Sequence, residues 1–198
     1  MVNPHITFRR SKGMKMKNET KKFIAYLNLL DVKIDSGSFA SRIKAQKLAY
    51  IIQKLINETL YEDFNFYIRG PYSHSLAQEY FVYHNEFAEG DSNYKPTKNE
   101  SEEIERVKPL LDSLSQTDLE IVASLLFLKK DKGINENDAE LKLKELKQHL
   151  KIEDIWRGSN TIKRLFLTEK LRVAIMNSLE KEMEEWNGLS NEGLRKFE

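Results

Sequence analysis

The chain's four histidines stand at positions 5, 74, 84 and 149. None falls into an HExxH or HxH spacing that would bring two imidazoles onto one metal ion. Cysteine is absent, which removes thiolate nucleophiles, disulfides and Cys-based zinc or iron–sulfur sites together. Ser73-His74-Ser75 sets two hydroxyls beside an imidazole, but nucleophilic catalysis needs the base to reach the hydroxyl, and adjacency at the start of a helix does not arrange that. Helix capping accounts for both serines. There is no G-x-S-x-G elbow and no S-x-x-K in an enzyme-like setting. The carboxylate runs Glu102/Glu103 and Glu182/Glu184/Glu185 fall on polar helix faces, and the eight glycines are scattered rather than gathered into a phosphate-cradling loop. The expectation is a chain with no catalytic residues, no metal and no cofactor.

A different chemistry is better represented. Aromatic residues crowd positions 61–94, among them Tyr61, Phe64, Phe66, Tyr67, Tyr72, Tyr80, Tyr83 and Phe87. The run Phe64-Asn65-Phe66-Tyr67-Ile68-Arg69 alternates, which predicts a short half-buried strand hiding Phe64, Phe66 and Ile68. Tyr67 and Arg69 then face the other way, with Tyr72 on the turn. Tyr and Arg are favoured interface anchors, being large and able to hydrogen-bond. Tyr67, Arg69 and Tyr72 are therefore the candidate partner-binding residues.

The elements that must position them read as helices. Phe23, Tyr26, Leu27 and Leu30 share one face of a helix over about 19–31, and Leu48, Ile51, Ile52 and Leu55 one face of a second over 39–58. Gly70-Pro71 ends the strand, since proline cannot donate to a ladder. A third helix over 74–87, capped by Ser73 or by Ser75 with Gln78, follows. Residues 88–98 are loop-like. A fourth helix passes through Glu102–Val107, with Pro109 kinking it or starting a new turn. Thr117-Asp118-Leu119-Glu120 predicts a capping box opening an apolar helix that ends near Lys129 to Gly133. Ala139, Leu143, Leu146 and Leu150 mark a helix over 137–150, and the last is expected over 161–186 with a break near Leu167-Thr168. The fold class expected is mainly α: a helical bundle of six to seven helices with a small β element.

Charge divides the chain. Residues 1–22 carry Arg9, Arg10, Lys12, Lys15, Lys17, Lys21 and Lys22 against Glu19, a balance of +6; removing it from the whole chain's +1 leaves −5 for the rest. The expected organisation is a basic, unstructured arm at 1–18, one globular helical domain at 19–187 and a frayed tail at 188–198. No apolar run approaches the ~20 residues of a membrane span, and no h-region follows the basic start; with cysteine absent, a cytoplasmic setting is expected and no membrane partner.

Two short segments carry a resemblance. Arg42-Ile43-Lys44-Ala45-Gln46-Lys47-Leu48-Ala49-Tyr50 and Phe64-Asn65-Phe66-Tyr67-Ile68-Arg69-Gly70-Pro71-Tyr72-Ser73 look like the core of the Panacea domain, the SocA-like, phage-associated antitoxin family. Its pattern is a K-L-x-Y step inside a helix, then an aromatic strand ending in Gly-Pro before a helix. Lys47, Leu48 and Tyr50 match the first half; Gly70, Pro71 and Tyr72 match the second. Tyr67-Ile68-Arg69 replaces a Trp found before the Gly-Pro in many bacterial members, so the chain resembles a divergent, archaeal or bacillar-type branch. The resemblance implies a non-catalytic binding module, an antitoxin or proteolytic adaptor whose partner is a protein such as a toxin encoded by a neighbouring gene. It also implies structural roles for Leu48 and Tyr50 as core and for Gly70-Pro71 as the turn. The alternative is a winged-helix-like DNA-binding regulator, reaching nucleic acid through the basic arm; the −5 body argues against it, because DNA affinity depends on neutralising phosphates.

Overall fold

The computed structural model of the chain describes residues 15–167, 171, 173–183 and 186. The chain resolves into two compact units, Met1–Leu165 and Phe166–Glu198. The basic residues before Lys15 and the tail after 188 lie outside the described residues.

The fold is mainly helical with one small antiparallel sheet. In chain order the first unit contains α1 (Asn18–Leu29), α2 (Phe39–Leu55), β1 (Asn65–Tyr67), β2 (Gly70–Tyr72), α3 (His74–Val82), α4 (His84–Glu89), α5 (Lys98–Asp112), α6 (Gln116–Lys130), α7 (Glu136–Leu146) and α8 (Ile152–Leu165). At its centre is α6, in which every residue from Leu119 to Leu128 is buried. A helix buried on all sides must be surrounded, and α2, α7, α8 and β2 all pack against it. α1 lies on α5 and buries Phe23, Tyr26 and Leu27, the face its spacing predicts. Close approach of α8 to α6 depends on Gly158, where an added Cβ would come within 2.5 Å of Ile121 Cγ2.

Several boundaries depart from the sequence reading, each for a local reason. The Gly70-Pro71 pair does not end the β element: it returns as β2, pairing Asn65 with Tyr72, Phe66 with Pro71 and Tyr67 with Gly70. The helix expected over 74–87 breaks at the buried Tyr83, whose φ of −110° and ψ of 38° leave the helical region, so that α4 can bury Phe87 against Phe23. The cap of α6 is Ser115, in a reciprocal box with Asp118, rather than Thr117 with Glu120. α5 has its own box, Thr97 with Glu100, and runs through Pro109. α7 stops at Leu146, which is half exposed rather than buried, while Leu150 is buried beyond the helix end. The last helix of this unit begins at Ile152, nine residues before its expected start at Thr161. Leu167 lies outside any helix; in the second unit residues 173–183 are helical.

Candidate partner-binding surface

The hairpin is held by its main chain. Lys47, on α2, donates from Nζ to the Pro71 carbonyl at 2.6 Å. One residue earlier, Gln46 closes a two-way amide pair with Ser73: its Nε2 donates to the Ser73 carbonyl at 2.9 Å, and its Oε1 accepts from the Ser73 N–H at 2.8 Å. From the other side Lys147, the residue at which α7 ends, donates to the Ile68 carbonyl at 2.7 Å and forms a buried ion pair with Glu120 of α6. Glu120 also faces Arg69, at 3.6 Å. Such a cluster is sustained only because its polar groups find partners.

Gly70 is the residue that lets the hairpin sit this close. Ile68 and Arg69 keep negative φ while Gly70 takes φ +81°, so the left-handed step follows the two-residue turn instead of lying within it. A Cβ at Gly70 would meet Ser124 Oγ at 2.3 Å. That hydroxyl is itself buried with no hydrogen-bond partner among the described residues.

Lys47 is buried, and its amine is pushed down to about 7. Burial is the main cause, since loss of water disfavours the charged form; Glu120 opposes it, and the nearby charges of Lys147 and Arg69 add to it. The motif's other matched residues are core: Leu48 and Tyr50 are buried. The Tyr50 hydroxyl donates to Asp131 Oδ2 at 2.7 Å, and its ring stacks edge-on with Phe64, centroids 5.1 Å apart. Burial, then the hydrogen bond to Asp131, drives that hydroxyl's pKa far upward.

Two of the three predicted anchors, Tyr67 and Tyr72, touch, while Arg69 meets Phe39 and Glu120. Tyr67 is 57% exposed and the Arg69 side chain 56%; Tyr72 is half-buried, its ring edge-on to Tyr67 at 5.3 Å. Ile68, expected on the hidden face with Phe64 and Phe66, is instead 91% exposed. The strand ends at Tyr67, so Ile68 sits on the turn, where strand alternation no longer applies. Two residues that sequence reading did not select complete the surface. Phe39, the first residue of α2, is 60% exposed, and the guanidinium groups of Arg42 and Arg69 both lie over its ring, at 5.7 and 5.8 Å from the centroid. Arg42 in turn donates to the carbonyls of Ser36 and Gly37 at 2.6 and 3.1 Å. Phe39 and Arg42 carried no signal in sequence, being separated from the hairpin by some twenty-five residues and joined to it only by the fold.

The catalytic candidates are committed elsewhere. Ser73 Oγ donates to Asp63 Oδ1 at 2.5 Å and caps α3 by accepting from the Leu76 N–H. Asp63 Oδ2 accepts from the Ser75 N–H at 2.8 Å. Those bonds hold the Asp63 carboxyl below its ordinary value against the opposing effect of burial. His74 turns outward to Gln78, 3.0 Å away, and not to Ser73. Among the described residues no group of three His, Asp or Glu comes together in a way that could hold a metal ion, and no helix is long and apolar enough to cross a membrane.

No family model, curated protein or solved structure matches this chain. The Panacea resemblance therefore rests on the motif residues themselves, whose two halves touch through Lys47 and the Pro71 carbonyl.

Proposed function

We propose that the protein is a non-catalytic, protein-binding module of the Panacea-like antitoxin or adaptor type, acting stoichiometrically by covering the surface of a partner protein. The observation that carries this reading is the exposed patch of Phe39, Tyr67, Ile68 and Arg69 on a hairpin whose carbonyls are tied to the core by two buried lysines. Large exposed side chains on a rigid support are what an interface needs: the rings supply apolar area, and little ordering is left for binding to impose. The partner implied is a protein such as a toxin from an adjacent gene, and the setting a cytoplasm.

Co-expression with the neighbouring gene product tests it, by affinity capture and a growth-rescue titration. Rescue that tracks the ratio of the two proteins, and weakens in Tyr67→Ala, supports the module. Inactivation of many partner molecules by one of this protein, or failure of any partner to co-purify, refutes it. Tight, salt-sensitive binding of duplex DNA that survives removal of residues 1–14 would instead favour the winged-helix-like regulator.

A further inference from the structure

Resting on that reading, we infer that the hairpin-tip surface receives an acidic segment of the partner, its carboxylates engaged by Arg42 and Arg69 and an apolar side chain set against Ile68 and Phe39. Three observations converge on this chemistry. The first is the arrangement of the groups: one exposed aromatic ring with two guanidinium groups over it, and the most exposed large apolar side chain of the unit at the adjacent turn. Arginine offers carboxylates a planar, two-pronged donor set, and stacking on a ring holds that set in place before a ligand arrives.

The second is the charge behind the surface. Arg42, Lys47, Arg69 and Lys147 gather at the hairpin and the start of α2, against the carboxylates of Glu120 and Asp63. Lys147 is paired with Glu120 and the Lys47 amine is pushed down to about 7 by burial, so the positive charge presented at the turn is chiefly that of Arg69 and Arg42. The third is contrast with the remainder: the chain after residue 22 carries −5, so a cationic island on an acidic body both attracts an anionic segment and orients its approach.

A nucleic acid shares the negative charge but not the rest of the fit. Phosphate-driven affinity grows with the number of phosphates neutralised, and this patch offers two guanidinium groups beside the exposed Ile68. An apolar residue in an acidic peptide uses that exposed area; a sugar–phosphate backbone does not.

The test uses the full chain and three labelled probes: a short peptide of Asp and Glu around a central Leu-Phe pair, its Lys/Arg counterpart, and a duplex DNA. Anisotropy should report salt-sensitive binding of the acidic peptide alone. Ile68→Asp, at a position too exposed to trouble folding, should weaken it by about tenfold or more. Arg69→Gln should weaken it several-fold and flatten the salt dependence. Phe39→Ala checks the ring without altering charge. Thermal melts of each variant separate lost binding from lost structure. Acidic-peptide binding indifferent to all three substitutions overturns the inference, as does equal binding of the basic peptide. Duplex binding that is tighter than peptide binding and lost in the same variants reassigns the surface to nucleic acid. If co-expressed partner is still captured at wild-type level by Ile68→Asp, this inference fails while the binding-module reading stands.

Discussion

Lys47→Met removes the one amine among the described residues that burial forces toward neutrality, and its consequence is a change in how stability depends on pH. In the folded chain this amine titrates at about 7, against 10.5 when solvated. Between those values the unfolded chain holds a proton that the folded chain has released, so stability rises with pH across the window. Each pKa unit corresponds to about 1.4 kcal/mol, which sets a ceiling of about 5 kcal/mol for the whole shift and about 2 kcal/mol for the rise between roughly pH 7.5 and 9.5. The window closes from above, because Tyr26, Tyr50 and Tyr80 have raised values through burial and the unfolded chain ionises its tyrosines first, lowering stability beyond about pH 10. Methionine keeps the length and apolar volume of the lysine stem but leaves the Pro71 carbonyl without its donor, so the variant should be least favourable relative to wild type at the alkaline end. Urea unfolding followed by helical signal at a series of pH values gives both curves. The expected result is a rising wild-type curve and a flat Lys47→Met curve between about pH 7.5 and 9.5. Parallel curves would refute the reasoning, showing that the amine stays charged in the fold.

Gly70→Val should cost about 2–4 kcal/mol, since it combines a positive φ with a Cβ that meets Ser124 Oγ; a thermal midpoint unchanged from wild type would show that the hairpin stands further off α6 than described. Ser124→Ala should be neutral or stabilising by up to about 1 kcal/mol, because it deletes a buried hydroxyl without a partner among the described residues, and a loss above that in denaturant melts would reveal a bond the hydroxyl makes. Ser115→Ala should cost about 1 kcal/mol by opening the capping box of α6, measured as a shift in denaturation midpoint. Glu100, held down to about 2 by hydrogen bonds from Tyr26, Thr97 and Tyr94 despite opposing burial, contributes stability that is present above its ordinary value and lost as pH falls from about 4.5 toward 2; Glu100→Gln should flatten acid unfolding there, and an unaltered acid limb would count against that network.

Periodicity made the helices legible wherever a helix has one wet and one dry face. α1 and the apolar side of α2 followed directly from the spacing of Phe23, Tyr26 and Leu27 and of Leu48, Ile51 and Ile52. Tyr67 was legible as outward-facing from strand alternation, whereas Arg69 is exposed because it lies on the turn beyond the strand end. What escaped is what depends on residues far apart in the chain. Glu120 looks like the N3 partner of a cap at Thr117, yet it turns inward because Lys147, twenty-seven residues later, meets it there. Lys147 can do so only because α7 stops one turn early, and an early stop after Leu146 has no local signature in Lys-Gln-His. Ile68 was misplaced because alternation was carried one residue past the strand end. The opening turns of α8, before the expected start at Thr161, went unread; Gly158 within them serves close helix packing against Ile121. The binding reading did not come from helix periodicity; it came from the motif resemblance and from the arginine and aromatic residues of the hairpin.

The lysines beneath the hairpin grip carbonyls, at Ile68 and Pro71, and not side chains. Every residue except its neighbours' backbone geometry is thereby freed: a carbonyl is the same whatever side chain is attached to its residue. The side chains at positions 67 and 68 can thus change while the mount beneath them stays constant. A substitution of the exposed Tyr67 or Ile68 side chain should cost folding little, whereas one at Gly70 or Lys47 endangers the mount. The fold thus leaves the side chains of the tip open to change and resists change at the residues a few positions away.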